Sequence, residues 1–386
     1  MSTIPYGRQS INQDDIDAVC AVLRSDFLTQ GPVVPRFERA VADYTGARHA
    51  LAVNSATSAL HMACLALGLG SGDWLWTSPI TFVASANCGL YCGARVDFVD
   101  IDDSGNISIL ALEEKLETAK RKAQLPRVLV VVHLAGQSCH MASVAQLAAR
   151  FGVRVIEDAS HAIGGRYLGK PVGGCQYSDI TVFSFHPVKI ITTAEGGMAV
   201  TNDDALAEQM NLLRSHGITR DSTKMMRLPD GPWYYEQIAL GFNFRMTDVQ
   251  AALGVSQMAR IDEFVASRHA LASRYEQLLG HLPLDRPVLI EQSQSAHHLY
   301  IVLLRLNEIR RSHREVFEAL REKGIGVNLH YIPLYLQPWY QRMGFDPADF
   351  PAAQNYYARA ISLPLFHGLT HHEQDRVIHT LTDILA

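Results

Sequence analysis

Apolar residues first recur at helical spacing between Asn12 and Arg24, where Ile16, Val19, Cys20 and Leu23 follow a cap-competent Asn and a group of acids. The turn-forming stretch Leu28-Thr29-Gln30-Gly31-Pro32 separates this helix from a second over residues 34–44. From Ala50 onward strand and helix patterns alternate. Strands read at 49–53, 74–77, 95–99, 127–133, 154–157, 179–185 and 198–201, and helices at 57–67, 82–91, 110–122, 142–151 and 204–215. Alternation of this kind implies crossover units, hence an α/β architecture with a mainly parallel seven-stranded sheet and ligands at the strand C-terminal ends. Residues 248–279 form a long helical pattern broken once. Beyond it the pattern predicts strands at 298–306 and 327–330 and helices at 312–323, near 352–360 and at 371–385. Two domains follow: residues 1–250, an N-terminal arm and a large domain, and residues 251–386, a linking helix and a smaller α+β domain.

Two strand ends carry chemistry. The apolar run Ile180-Thr181-Val182-Phe183 leads into Ser184-Phe185-His186-Pro187-Val188-Lys189, a costly place for an ammonium. Burial lowers a lysine's pKa, and a neutral amine condenses with a carbonyl to give a Schiff base. Upstream, Val153-Arg154-Val155-Ile156-Glu157-Asp158 delivers a carboxylate at a strand's C-terminal edge. An amine for an aldehyde and an acid for a ring nitrogen are what pyridoxal phosphate requires of a protein. Taken singly, Lys189 reads as a surface lysine and Asp158 as a helix cap; the pair is what counts.

Other stretches fit the same chemistry, each with a plainer alternative. Asn54-Ser55-Ala56-Thr57-Ser58 follows the first strand and opens a helix, so its free N–H groups and hydroxyls suit an anion, or simply cap the helix. Ser184 adds a hydroxyl near Lys189. Phe82, after a strand, is placed to stack on a flat ring or to fill the core. His161, three residues past Asp158, is a contact for the cofactor's phenolic oxygen or a core histidine. Gly196-Gly197 allows a tight turn beside the lysine. The Gly68-Leu69-Gly70-Ser71-Gly72 stretch precedes a strand and reads as a turn, not a dinucleotide loop. His371-His372-Glu373 and His297-His298 lack metal-ligand spacing, so no metal is expected.

Composition narrows the classes. The formal net charge is −5 and no basic block is longer than Lys120-Arg121-Lys122, which is no nucleic-acid footprint. The longest apolar run, 128–134, is too short to span a bilayer, and the opening Met1-Ser2-Thr3-Ile4-Pro5 has no basic head before an apolar core. Six scattered cysteines without a CxxC suit reduced thiols, so the expected location is the cytoplasm.

The chain resembles, over nearly its whole length, the DegT/DnrJ/EryC1/StrS sugar aminotransferases. The words that carry the resemblance are Leu28-Thr29-Gln30-Gly31-Pro32, Asn54-Ser55-Ala56-Thr57-Ser58-Ala59-Leu60, Glu157-Asp158-Ala159-Ser160-His161-Ala162, Ser184 to Lys189, Gly241-Phe242-Asn243-Phe244-Arg245-Met246-Thr247-Asp248 and His330-Tyr331-Ile332-Pro333-Leu334. Within that family, the lysine stretch running into Ile191-Thr192-Thr193-Ala194-Glu195-Gly196-Gly197, together with Pro5-Tyr6-Gly7 and Ser55, looks most like the C4 aminotransferase branch of pseudaminic acid biosynthesis. Many relatives have a Ser-Lys-Asn word where this chain has Pro187-Val188-Lys189-Ile190.

The resemblance implies fold type I of the pyridoxal phosphate enzymes, aspartate aminotransferase-like, and a homodimer with shared active sites. By that match Lys189 carries the cofactor aldehyde, Asp158 pairs the ring nitrogen, Phe82 stacks on the ring, and Ala56, Thr57 and Ser184 hold the phosphate. Asn243 would reach the phosphate of the neighbouring subunit's cofactor, while Tyr6, His330 and Tyr331 line the sugar-nucleotide side. Arg245 is a candidate for the donor α-carboxylate, or part of a structural ion pair. The implied reaction is ping-pong transamination from L-glutamate to the 4-keto carbon of UDP-2-acetamido-2,6-dideoxy-β-L-arabino-hexos-4-ulose, with the Lys189 amine shuttling a proton. The rivals are amination at C3 or C4 of another nucleotide sugar, dTDP- or GDP-linked, and a non-catalytic regulator that binds the same cofactor. A dehydratase of this fold would carry His in place of Lys189.

Overall fold

The computed structural model describes residues 3–386; Met1 and Ser2 of the first expected domain lie outside the described residues. Seven strands form the central sheet: β1 (His49–Val53), β2 (Trp74–Thr77), β3 (Arg95–Phe98), β4 (Val128–Val132), β5 (Arg154–Asp158), β6 (Ile180–Ser184) and β7 (Gly197–Thr201). Their order is β1-β7-β6-β5-β4-β2-β3. All neighbours from β6 to β3 are parallel, whereas β7 runs antiparallel to both β6 and β1. This mostly parallel, helix-flanked sheet is the architecture that the resemblance implies.

Both faces of the sheet are covered, which is why β4 reads Val-Leu-Val-Val-Val without polar alternation. On one face lie α3 (Ala56–Ala66), α4 (Ala84–Tyr91) and α7 (Asp204–Arg214); Leu60, Met62 and Met210 pack there on Leu75, Val130, Ile156 and Val182. The next residue along each strand turns to the other face. There Trp76, Leu129, Val131 and Val155 meet Leu112, Leu116, Val144 and Leu147 of α5 (Ile109–Arg121) and α6 (Met141–Phe151). On that face too, Ala52, Phe183 and Met198 meet α2 (Val33–Thr45) and α8 (Asp248–Met258). The first helix, α1 (Gln13–Leu23), starts at a capping box formed by Asn12 and Asp15. Two of the matching words are joined here. The fully buried Asp248 carboxylate accepts from the N–H groups of Gly31 (2.7 Å), Val33 (2.7 Å) and Val34 (3.2 Å), capping α2, whose own N-cap residue, Pro32, has no side-chain acceptor.

The long helical pattern breaks between α8 and α9 (Ile261–Leu278). A second core follows. Its antiparallel sheet consists of β8 (Leu284–Asp285), β9 (Tyr300–Leu304) and β10 (Ala360–Leu363), with β9 central. Residues of α9, α10 (His313–Glu322) and α12 (His371–Leu385) pack on it; α11 (Pro351–Tyr357) lies against the first core. The N-terminal arm belongs to this second core: Ile4 is buried in it and bonds through its main chain to Gly324 and Gly326. Two expectations fail. Residues 327–330 are not a strand, because only Asn328 finds a partner, Ser362. The helix expected to reach 360 ends at Tyr357, and Ala360 already pairs with β9. Among the described residues no helix is long and apolar enough to cross a membrane.

Candidate active site

A cavity of about 620 Å³ opens at the C-terminal ends of β5 and β6, roofed by residues 328–337. Its size is that of a small-molecule site. β5 ends in two buried carboxylates that alternation sends to opposite faces. Glu157 points away and meets His133 Nε2 at 2.7 Å and Thr181 Oγ1 at 3.2 Å. Asp158 faces the cavity, where Ser85 Oγ donates to Oδ2 at 2.7 Å and the Ser160 N–H donates to Oδ1 at 3.1 Å. Ser85 is itself 2.7 Å from Thr81 Oγ1, four residues back and before the start of α4.

Lys189 comes from the connection between β6 and β7. Phe185 closes that loop: its N–H donates to Gly196 O and its carbonyl accepts from Thr193. The Lys189 N–H then donates to His186 O at 2.9 Å, folding the lysine back over the sheet edge. Burial lowers its pKa from 10.5 to about 8, partly opposed by the charge of Asp158.

At the third corner, α3 begins directly after β1. Ser55 accepts from the Ser58 N–H at 3.1 Å, leaving the N–H groups of Ala56 and Thr57 as first-turn donors at the cavity wall. The start of β7 packs so tightly here that a Cβ on Gly197 would lie 2.5 Å from Ala56 N. Ser184 lines the same corner.

The remaining wall is aromatic and imidazole. Phe82 is 58% exposed, which removes the core alternative, and its ring lies 6.4 Å from that of Tyr331. His161 is buried, with Nε2 3.1 Å from Tyr331 Oη and its ring 4.4 Å from that of His298. It is not a satisfied core histidine, because its Nδ1 is buried without a partner among the described residues. Burial first, and then the charges of Lys189 and His330, hold it well below the ordinary histidine range, so it is neutral. His330 sits 2.8 Å from Ser362 Oγ and 5.4 Å (ring to ring) from Tyr6; burial and Lys189 lower its pKa to about 3. Burial raises both Tyr6 and Tyr331, so both phenols stay protonated.

All the candidate residues thus meet in this cavity except Asn243 and Arg245. Asn243 is exposed and pairs with Ser215. Arg245 donates to Ser215 Oγ at 3.1 Å and bridges to Val53, so among the described residues it serves neither as a cavity residue nor in an ion pair. Sequence reasoning missed Ser85, Ser160, His298, Asn328 and Gln337, which also reach Asp158 or the cavity. The i, i+4 spacing of Thr81 and Ser85 suits a hydroxyl pair but does not indicate the carboxylate it serves, and the His297-His298 pair carries no local signal for a cavity wall.

The residues present fit pyridoxal phosphate: one partly neutral amine, an anchored carboxylate, free N–H groups at a helix start, an open aromatic face, and an unpartnered buried nitrogen on His161. Comparison with known proteins agrees with that chemistry. The chain is 38% identical over 383 residues to the UDP-4-amino-4,6-dideoxy-N-acetyl-beta-L-altrosamine transaminase of Campylobacter jejuni (strain 81-176), covering 99% of this chain and 97% of the relative. It is 37% identical over 386 residues, at 99% and 97% coverage, to the spore coat polysaccharide biosynthesis protein SpsC of Bacillus subtilis (strain 168). Among solved structures, Helicobacter pylori PseC, an aminotransferase involved in the biosynthesis of pseudoaminic acid, superposes with a TM-score of 0.91 at 33% identity, covering 100% of this chain and 99% of that one. A Streptococcus pneumoniae sugar aminotransferase in its PLP-form superposes with a TM-score of 0.88 at 28% identity and 99% and 98% coverage. The DegT/DnrJ/EryC1/StrS aminotransferase family matches residues 9–382, and the chain belongs to that family.

Proposed function

We propose that the chain is a pyridoxal phosphate-dependent aminotransferase that moves the amino group of L-glutamate to C4 of UDP-2-acetamido-2,6-dideoxy-β-L-arabino-hexos-4-ulose, in a pathway of the pseudaminic acid type. The observation that carries the reading is the partly neutral Lys189 amine in one cavity with the anchored Asp158. When bound, the cofactor supplies an aldehyde and an electron-accepting ring. Asp158, held on both oxygens, would keep a proton on the ring nitrogen. Ala56, Thr57 and Ser184 would hold the phosphate, and Phe82 would pack against the ring. Lys189 Nζ removes the proton from Cα of the amino donor and returns one to C4 of the sugar. His161, neutral and bonded to Tyr331, offers a hydrogen bond without adding charge.

The lining carries a single lysine or arginine, Lys189, whereas the proposed substrates bring two carboxylates and a diphosphate. A second copy supplying further groups answers this shortfall, so a homodimer with shared sites is part of the proposal. Asn243 at the exposed rim suits it. So do Met226 (91% exposed), Leu228, Trp233 and Leu240, apolar side chains standing in solvent within one segment.

The test is to incubate the protein, pyridoxal phosphate and glutamate with a panel of UDP-, dTDP- and GDP-linked keto sugars and to read the products by mass spectrometry and NMR. Amination of the UDP sugar at C4, absent from Lys189→Ala, is the expected result. Preference for another nucleotide or position overturns the substrate assignment, and no amination anywhere overturns the activity.

A further inference from the structure

Behind the cavity wall, α9 carries Arg268, 2% exposed and, among the described residues, without a carboxylate partner. A buried guanidinium without a counter-ion is costly unless carbonyls replace its water. Here Nη1 donates to the carbonyls of His297 (3.2 Å), His298 (3.1 Å) and Leu365 (2.9 Å). All three belong to irregular segments, just before β9 and just after β10, which no strand ladder holds. Seven residues along the same helix, Tyr275 Oη donates to the neighbouring Pro364 carbonyl at 3.0 Å. One helix face therefore grips both segments.

Each segment leads into the cavity. The His298 side chain lines it and packs at 4.4 Å on His161, which bonds Tyr331. The Leu365 N–H donates to Tyr6 O at 3.0 Å, and the Tyr6 ring faces His330. From this we infer that Arg268 is a positioning residue for amination: from outside the cavity it clamps the two segments that set His298 against His161 and Tyr6 against His330. All three bonds leave from Nη1, while Nε is buried without a partner among the described residues, so the clamp depends on one nitrogen carried to that point by the long arginine side chain, a reach that the shorter lysine does not match. The inference rests on the aminotransferase reading above.

The experiment compares wild type with Arg268→Met, which keeps the volume, and Arg268→Lys, which keeps the charge. For each, the melting transition, the dissociation constant of pyridoxal phosphate from apoprotein, and kcat and KM for the keto sugar are measured on folded enzyme. Displacing the walls by about 1 Å should lower kcat/KM by about a hundredfold in the Met variant, with a smaller loss in the Lys variant. Cofactor binding should weaken in the same order. A fall in melting temperature with kcat, KM and cofactor affinity within twofold of wild type overturns the inference, and so does failure of both variants to fold, which assigns Arg268 to stability alone. Should wild type aminate no keto sugar, the proposed function fails instead, and the clamp is judged on cofactor affinity.

Discussion

Replacing Asp158 by Asn should move two measurements in opposite senses. Burial lowers the Lys189 pKa to about 8, against 10.5 for an ordinary lysine. That gap corresponds to about 3 kcal/mol, and at pH 7 it raises the neutral share of the amine from about 0.03% to about 9%, roughly 300-fold. Burial lowers the value, while the negative charge of Asp158 holds it up. Asp158→Asn removes only the second influence, so Lys189 should titrate lower still and react faster with amine reagents at neutral pH. Turnover should fall, because a neutral amide cannot keep a pyridine nitrogen protonated. Labelling of apoprotein with trinitrobenzenesulfonate over pH 6–11, read at residue 189 by mass spectrometry with exposed Lys122 as the internal standard, follows the first quantity; single-turnover absorbance with glutamate follows the second. Lys189 labelling at the same pH as Lys122, or a labelling curve displaced upward in Asp158→Asn, would refute the electrostatic account of the site.

Further expectations rest on the same contacts. Ser85→Ala deletes a 2.7 Å donor to a buried carboxylate; a bond of that kind contributes about 1.5–3 kcal/mol, so cofactor affinity measured by fluorescence titration of apoprotein should drop about tenfold or more. Gly197→Ala drives a Cβ to 2.5 Å from Ala56 N; overpacking of about 1–3 kcal/mol should appear in the urea midpoint, together with weakened phosphate binding. Burial alone would raise Glu157, but His133, Ser178 and Thr181 outweigh it, so its folded pKa lies below 4.5. Its contribution is therefore complete above pH 4.5 and drains as pH falls through the lower, folded value, and Glu157→Gln should flatten that acid limb of the stability curve. Finally, an equal mixture of Lys189→Ala and Asn243→Ala subunits, after exchange, should regain about a quarter of wild-type activity if sites are shared across a two-fold axis; no recovery refutes sharing.

Most strands of the large sheet were legible because buried β-branched runs bounded by turns have few other uses; β1 and β2 begin and end where the pattern places them. Likewise α12 starts at a capping box, Thr370 with Glu373, which local sequence encodes. Residues 327–330 show why other assignments failed. Val-Asn-Leu-His alternates like a strand, yet a ladder depends on a neighbour that local sequence does not specify, and only Asn328 has one. β10 is four residues long and begins three residues after a helix, so its pairing with β9 comes from contacts distant in sequence. Within the site, Lys189 and Asp158 were legible as residue types at strand ends. Ser85 was not, because its role depends on a carboxylate brought to it from 73 residues away.

The direction of β7 was equally hidden, and it decides the geometry of the site. An apolar run does not state whether its strand is parallel or antiparallel. Had the chain crossed over after β6 as it does after β4, it would have left the C-terminal edge of the sheet through a helix. Instead β6 and β7 form an antiparallel pair with Ser184 opposite Gly197, so the connection holding Lys189 stays on the edge where β5 ends in Asp158. Gly197 is also paired with Val53, the last residue of β1, so the same reversal brings the start of α3 to that edge. The amine, the acid and the start of α3 therefore share one cavity because a single strand runs backwards. The side-chain freedom given up at Gly197 follows from that closeness, since β7 must begin in contact with the first residues of α3.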